Sequence, residues 1–256
     1  MRRIVFFSSG LGSWATAKIV AEKFGTEDLT LLFADTKIED EDNYRFLNEA
    51  ADNVGARLAV VRDGRTPWEV FKDERWIGNS RVAPCSHILK QKPCLRWIER
   101  HDPDYLATLY VGIDWSETHR LESIRENWSP RPVEAPLTKP PYHDKKSIIE
   151  WAKSEGLEPP RLYRMGFAHA NCGGFCVRGG QAHFRNLLRE MPDRYDHHAK
   201  KEQEMRDYLD ADQAILTEQT NGEKRPLTLE VLRQRSEAQI DMLDWGGCGC
   251  FSSDEP

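Results

Sequence analysis

The first twenty residues constrain the fold of this chain more than any other stretch. A four-residue apolar run, 4–7, leads into a Gly/Ser-rich segment, and apolar residues with helical spacing follow at 14–20. This order predicts a buried β-strand, a short loop and an α-helix. Such a loop directs backbone N–H groups and hydroxyls to one point in front of a helix N-terminus, where phosphate binds. We therefore predict a nucleotide phosphate site formed by Ser8, Ser9, Gly10, Leu11, Gly12 and Ser13.

Composition and charge narrow the class of protein. The chain has 256 residues, of which 39% are hydrophobic and 30% charged, as is typical of a soluble globular protein. No apolar run approaches the ~20 residues that span a bilayer, and the run at 4–7 is too short for a signal peptide. A net charge of −6 argues against indiscriminate nucleic-acid binding. We expect a cytoplasmic protein with no membrane partner, and the sequence leaves its oligomeric state open.

Four apolar runs predict the strands of one sheet. Runs at 29–34, 58–61 and 105–111 follow the first one, and segments with helical spacing separate them. This alternation predicts an α/β fold, an open and mostly parallel sheet with crossover helices on both faces. Ligands of such sheets bind beyond the carboxyl ends of the strands. Four further residues that follow strand runs are therefore expected to contact the nucleotide: Asp35, Thr36, Gly112 and Asp114.

Composition also divides the chain into three parts. Residues 1–180 contain the strand runs and the loop, and we predict a nucleotide-binding domain there. Residues 181–244 are rich in charge and in helical spacing, which predicts a helical extension. Residues 245–256 form a Gly/Cys-rich tail that includes Cys248 and Cys250. The C-terminal region is thus expected to be helical and to contain cysteines.

The loop resembles the PP-loop, S-G-G-x-D-S, of the ATP pyrophosphatases and of their relatives, the sulfonucleotide (PAPS and APS) reductases. Ser8, Gly10 and Ser13 match that pattern. Ser9 replaces a glycine of the pattern, and Gly12 replaces its aspartate. The resemblance implies an adenine nucleotide alpha hydrolase-like fold. It also implies an adenine nucleotide as ligand, either ATP or the sulfonucleotides PAPS and APS.

Further segments of this family follow in the same order, over about residues 4–180. The chain has the D-T dipeptide, a cysteine followed by a basic residue and Pro, and a G-x-D-x-x-E-T-x-R segment at 112–120. A Pro-Leu pair and an L-Y-x-x-G-F segment at 162–167 come next, before two cysteines. Arg120 follows the fourth apolar run and can reach a polyphosphate with two hydrogen bonds. We therefore assign Arg120 a catalytic role.

Three cysteines are candidates for a metal centre. The Cys-Gly-Gly-Phe-Cys turn at 172–176 can aim two thiolates at one metal ion. We expect Cys85 to join Cys172 and Cys176 in holding a 4Fe–4S cluster or Zn²⁺, because thiolates suit these metals. Cluster-bearing members of the family have adjacent cysteines where this chain has Cys85 and Ser86. The fourth ligand stays open, and reduced, buried thiols are the structural alternative.

Three functions agree with these motifs. The leading hypothesis is an ATP-using enzyme that adenylates an acceptor, a nucleobase or small metabolite, for transfer of sulfur from a sulfur donor. Mg²⁺ would assist it, held by a carboxylate of the acidic run at 39–42. The second is a PAPS or APS reductase in which Cys248 or Cys250 attacks sulfur and thioredoxin completes the reaction. The third is a non-catalytic nucleotide sensor with a structural metal site. The tail lacks the Glu and His that flank the nucleophile of the reductases.

Overall fold

The computed structural model of the chain describes residues 1–79, 81–220 and 222–244. The strands of its main sheet are β1 (Arg3–Phe6), β2 (Leu29–Asp35), β3 (Arg57–Arg62), β4 (Thr108–Tyr110) and β5 (Val133–Glu134). They lie in the order β3-β2-β1-β4-β5, and every neighbouring pair is parallel. A separate antiparallel hairpin joins β6 (Leu216–Thr220) to β7 (Glu223–Leu227).

Helices connect the strands and form most of the C-terminal part. The α-helices are α1 (Leu11–Phe24), α2 (Glu41–Val54), α3 (Pro67–Asp73), α4 (Lys92–His101), α5 (Leu121–Trp128), α6 (Lys145–Ser154), α7 (Arg161–Arg164), α8 (Gln181–Glu190), α9 (Pro192–Leu209) and α10 (Leu229–Asp244). A π-helical segment spans Ser86–Gln91, and 3₁₀ turns span Trp115–Arg120, Pro136–Thr138 and Asn171–Gly174. Within the described ranges, no helix is both long and apolar enough to cross a membrane.

Hydrophobic side chains cover both faces of the main sheet, because residues along a strand alternate between the two faces. On β1, Val5 belongs to the cluster that contains Trp14 of α1, whereas Ile4 belongs to the cluster that contains Ile98 of α4. All four side chains are buried. Helices therefore lie on both faces of a parallel sheet, and the predicted α/β fold class is confirmed.

The fourth strand is shorter than the sequence predicts, since only the last part of the run at 105–111 becomes β4. Asp102 Oδ1 accepts hydrogen bonds from the backbone amides of Leu106 (2.9 Å) and Ala107 (3.1 Å). A side chain that binds these amides competes with the strand ladder. Tyr105 has φ 58°, a left-handed conformation outside the strand region.

Two other strands, β5 and β7, have no sequence pattern that would predict them. β5 contains only two residues, too few for an alternating pattern. β7 reads Glu-Lys-Arg-Pro-Leu, and charged residues and proline are depleted in strands. Backbone pairing with β6 forms this strand despite its composition.

The described residues form two compact units. The first comprises residues 1–70 and 84–176 and contains the parallel sheet. The second comprises residues 71–83 and the described chain after 176, and it contains α8, α9, α10 and the hairpin. The site that the sequence predicts at the carboxyl ends of the strands belongs to the first unit.

Buried polar side chains of α9 organise the second unit. The carboxylate of Glu202 accepts hydrogen bonds from the amides of Ile215 (2.9 Å) and Leu229 (2.7 Å). His198, one turn before Glu202, is 3% exposed. Burial, with smaller contributions from His197 and Arg194, lowers the pKa of His198 to about 2. The imidazole is therefore neutral in the folded protein at any ordinary pH.

The neutral His198 predicts a loss of stability in acid. In the unfolded chain its pKa returns to about 6.5, so between pH 2 and pH 6.5 the unfolded state binds the extra proton and stability rises with pH. Lowering the pH from 7.5 to 5.5 should cost the wild type about 1.4 kcal/mol through this residue. His198→Gln should lack that part of the pH dependence, as measured by urea unfolding at both pH values. His197→Gln, an exposed neighbour, is the matched control and should behave as the wild type. Identical pH dependence in all three proteins would contradict the prediction.

Candidate functional site

The Gly/Ser loop connects β1 to α1, and its own hydroxyls hold its shape. Ser13 Oγ accepts a hydrogen bond from the Ser8 amide (3.1 Å) and donates one to the Gly10 carbonyl (2.8 Å). Ser9 Oγ donates to the Ser8 carbonyl at 2.6 Å. Ser9 has φ 58°, a conformation that favours glycine. This explains why the PP-loop pattern has glycine where this chain has Ser9.

The N-terminus of α1 carries neither a side-chain cap nor a carboxylate in its first turn. Gly10 occupies the cap position and has no side chain to offer. By contrast, α2 is capped by Asp40 and has Glu41 and Asp42 in its first turn. The first amides of a helix have no partner within it, and the helix dipole favours an anion there. The N-terminus of α1 is therefore suited to an anionic ligand.

The backbone at the end of β4 touches the first turn of α1. A Cβ built on Gly12 would lie 2.9 Å from the carbonyl oxygen of Gly112. A Cβ built on Gly112 would lie 2.7 Å from the amide nitrogen of Ser13. Both distances are too short for a carbon atom, so both positions require glycine. Gly112 thus lies beside the loop, where the sequence places it.

A cavity of about 360 Å³ opens beside the loop, a volume within the range of small-molecule sites. Its walls come from the loop, the segment after β4, the start of α6, α7 and the segment before the cysteine turn. The predicted site residues that line it are Ser8, Gly10, Leu11, Gly12, Ser13, Gly112, Asp114 and Arg120. Ser9 is buried behind them.

Local contacts hold the charged side chains that follow β4. Arg120 forms an ion pair with Glu117, three residues earlier. Asp114 accepts hydrogen bonds from the amide (2.8 Å) and the hydroxyl (2.6 Å) of Ser116 and caps the 3₁₀ turn. Glu117 therefore partly balances the charge of Arg120 at the cavity. Asp114 mainly fixes the 3₁₀ turn that contains Arg120.

Lys145 and Tyr163 are among the cavity residues that the sequence analysis does not assign to the site. Lys145 begins α6, and its ammonium donates hydrogen bonds to the carbonyls of Phe167 (3.1 Å) and Ala168 (3.0 Å). The hydroxyl of Tyr163 accepts a hydrogen bond from the Leu11 amide (3.3 Å). Membership of the L-Y-x-x-G-F segment is the only sequence signal for Tyr163. Lys145 has none, because a lysine at a helix start reads as a solvated residue.

Asp35 and Thr36 are held by other side chains and are not among the described residues that line the cavity. Asp35 accepts hydrogen bonds from the Tyr44 hydroxyl (2.7 Å) and from Arg62 (2.8 Å). Burial alone would raise the pKa of Asp35, but these hydrogen bonds, one from a backbone amide and the charge of Arg62 lower it. Thr36 donates to Glu39 at 2.9 Å. Contact of Asp35 or Thr36 with a nucleotide stays a prediction.

Asp40 and Asp42, two residues of the acidic run at 39–42, do not fit the expected magnesium site. Arg161 donates to both carboxylate oxygens of Asp40 at 2.8 Å. Arg45 donates to Asp42 at 2.6 Å. Magnesium requires carboxylate oxygens in near-octahedral geometry, whereas arginines already engage the oxygens of these two aspartates. The run caps α2 and anchors neighbouring segments instead.

Cys85, Cys172 and Cys176 are all close enough to Lys90 to influence its pKa. Burial alone would lower the pKa of Lys90, but the negative charges that Cys172, Glu39, Cys176 and Cys85 can carry outweigh it and raise that pKa. The Lys90 ammonium lies 3.8 Å from the Glu39 carboxylate. Glu39 also accepts a hydrogen bond from the Cys172 amide at 2.5 Å. The three thiols therefore share a lysine as neighbour, whereas their convergence on one metal ion stays a prediction.

These thiols do not match the predicted metal ligand set. In the part of the chain that the structure describes, no group of three His, Cys, Asp or Glu side chains is placed to hold a metal ion. Burial raises the pKa of Cys85 to about 11 and raises that of Cys172 as well, so both are neutral thiols in the metal-free protein. The neighbouring ammonium also repels a cation. A 4Fe–4S cluster or Zn²⁺ at Cys85, Cys172 and Cys176 is thus not supported. Cys248 and Cys250 lie outside the described residues.

Comparison with known proteins places this geometry in a family context. The sequence model of the phosphoadenosine phosphosulfate reductase domain matches residues 2–174. Among solved structures, the chain is similar to phosphoadenylyl-sulfate (PAPS) reductase from Candida auris in a phosphate complex. The sequence identity is 16% and the TM-score 0.46, over 65% of this chain and 79% of that chain. No curated protein matches the sequence significantly.

The contact between Gly112 and α1 generates a mutational prediction. Gly112→Ala should destabilise the protein by about 1–3 kcal/mol, because the new methyl group must displace the first turn of α1. The same displacement should weaken binding of inorganic pyrophosphate in calorimetric titrations. Gly180→Ala is the control, since its Cβ would meet nothing within 4 Å and its φ of −86° suits any residue. We expect it to change the free energy of unfolding by less than about 1 kcal/mol. Equal losses in both variants would contradict the interpretation.

Proposed function

The chain belongs to the phosphoadenosine phosphosulfate reductase domain family, and we propose that it is a sulfonucleotide reductase acting on PAPS or APS. The loop cavity carries this proposal, because it lies wholly within the part of the chain that the family matches. It combines the uncapped N-terminus of α1 with two cationic side chains, Lys145 and Arg120. Sulfonucleotides carry several negative charges, and amides and cations of this kind attract them.

In the proposed reaction, a cysteine thiolate attacks the sulfur of the bound sulfonucleotide. A bond forms between the two sulfur atoms while the bond from sulfur to the 5′-phosphate oxygen breaks, and that oxygen keeps the electron pair. A second thiolate then attacks the cysteine sulfur, sulfite leaves with the electron pair, and a protein disulfide remains. Two electrons from an external dithiol, such as that of thioredoxin, restore the thiols.

Cys248 and Cys250 are the thiols that we propose for these steps. In the sequence a single glycine separates them, within a Gly-rich tail. The core cysteines are poorer nucleophiles than a cysteine with an ordinary pKa, because only the thiolate form reacts. Burial raises the pKa of Cys85 to about 11 and that of Cys94 to about 12. Burial raises the pKa of Cys172 in the same way.

Adenylation of an acceptor by ATP is the second candidate. The loop supports it, because Gly10 and the final Ser13 resemble the ATP-cleaving enzymes, and Ser13 is the residue that ties the loop together. This reaction releases pyrophosphate from ATP, whereas the reductase releases sulfite. A nucleotide sensor releases neither product. Product analysis therefore separates the three functions.

We expect the anaerobically purified protein, supplied with a dithiol, to release sulfite from PAPS or APS. Cys248→Ser or Cys250→Ser should lower kcat/KM by about 100-fold or more, because the nucleophile or its resolving partner is lost. Cys94→Ala, which alters a buried thiol in the core, should change kcat/KM by less than about threefold. Release of pyrophosphate from ATP without sulfite from either sulfonucleotide would contradict the proposal in favour of adenylation.

A further inference from the structure

The hydroxyl of Tyr163 lies at the part of the loop that a phosphate must approach. The Leu11 amide donates a hydrogen bond to Tyr163 Oη at 3.3 Å, and the backbone of Ala170 lies close enough to lower the pKa of this hydroxyl. A Cβ built on Gly10 would lie 3.2 Å from the same oxygen. Tyr163 therefore joins the loop to the segment that precedes the cysteine turn, with its polar end at the cavity wall.

The hydrogen-bonding capacity of this hydroxyl is only partly used. A tyrosine hydroxyl has one donor hydrogen and two acceptor lone pairs. The Leu11 amide uses one acceptor position, and no acceptor among the described residues forms a hydrogen bond with the O–H hydrogen. Burial, as the largest influence, raises the pKa of Tyr163, so the oxygen keeps its hydrogen. A donor thus remains for a ligand in the cavity.

Lys145 also has a hydrogen-bond donor that the protein does not use. An ammonium has three donor hydrogens, and the carbonyls of Phe167 and Ala168 accept two of them. No carboxylate in the described ranges forms an ion pair with Lys145, and burial alone lowers its pKa. Its nitrogen lies 4.7 Å from the centre of the Tyr163 ring, so the two polar groups share one part of the cavity wall. Arg120, by contrast, already has Glu117 as partner.

We propose that Tyr163 and Lys145 form a phosphate clamp, two donors that bind the 5′-phosphate of the nucleotide held by the loop. The proposal rests on the proposed function for the identity of that phosphate. In the reductase reaction the 5′-phosphate is the leaving group and gains negative charge as the bond to sulfur breaks. The hydroxyl and the ammonium are placed to stabilise that charge, since donors fixed in a partly dry site bind a developing anion most strongly.

The test compares adenosine 5′-monophosphate with adenosine, which differ only in the phosphate. Dissociation constants for both ligands are measured by titration calorimetry for the wild type, Tyr163→Phe and Lys145→Met. The dissociation constant of adenosine divided by that of adenosine 5′-monophosphate isolates the contribution of the phosphate. We expect each substitution to reduce that ratio about tenfold, as befits one lost hydrogen bond to a charged group. Lys146→Met removes the same charge from a neighbouring side chain that is 83% exposed, and it should leave the ratio within about twofold.

The outcomes separate a ligand contact from a structural role. If Tyr163→Phe weakens both ligands equally, the hydroxyl only supports the loop and the clamp is overturned. Lys145→Met provides an independent measurement should Tyr163→Phe fail to fold, and an unchanged ratio there also overturns the clamp. A wild type that binds neither adenosine 5′-monophosphate nor inorganic pyrophosphate overturns it as well. If the ratios fall as expected but no sulfite forms from PAPS or APS, the clamp stands and the reductase proposal fails.

Discussion

Direct backbone contact between Gly12 and Gly112 sets the position of the walls that surround the cavity. It fixes the first turn of α1 against the end of β4 at a distance that admits no side chain. In the strand order β3-β2-β1-β4-β5, the chain leaves β1 toward one edge of the sheet and returns through β4 on the other side. The cavity therefore lies at the switch point of the sheet, where parallel α/β proteins bind their ligands.

Local charge, rather than net charge, decides what this cavity attracts. The chain as a whole is acidic, with a net charge of −6. Two acidic side chains that follow β2, however, are engaged by arginines: Asp40 by Arg161 and Asp35 by Arg62. Lys145 and the amides at the N-terminus of α1 offer positive charge directly at the loop, and charges act mainly over short distances. An acidic protein can in this way bind a polyanion.

The sequence predicts those parts of the fold and site that depend on short stretches of chain. The loop, its hydroxyls and the parallel sheet follow from patterns a few residues long. The sequence does not show the contacts of residues whose partners lie far away along the chain. Asp35 follows a strand and reads as a ligand contact, but Arg62, 27 residues later, engages its carboxylate. Tyr163 reaches Leu11 from 152 residues away. Spacing alone also cannot show that Lys90 lies among the cysteines, and this one cation changes the chemistry expected of them.

The surroundings of Lys90 affect the chemical reactivity of the neighbouring cysteines. Lys90 and Glu39 already balance each other, so ionisation of Cys85 or Cys172 would leave an unbalanced negative charge among half-buried side chains. Alkylating reagents and peroxide react with thiolates and hardly at all with neutral thiols. Cys85 and Cys172, whose pKa values burial raises, therefore resist both kinds of reagent. Such cysteines outlast oxidative conditions that consume exposed, ionised thiols.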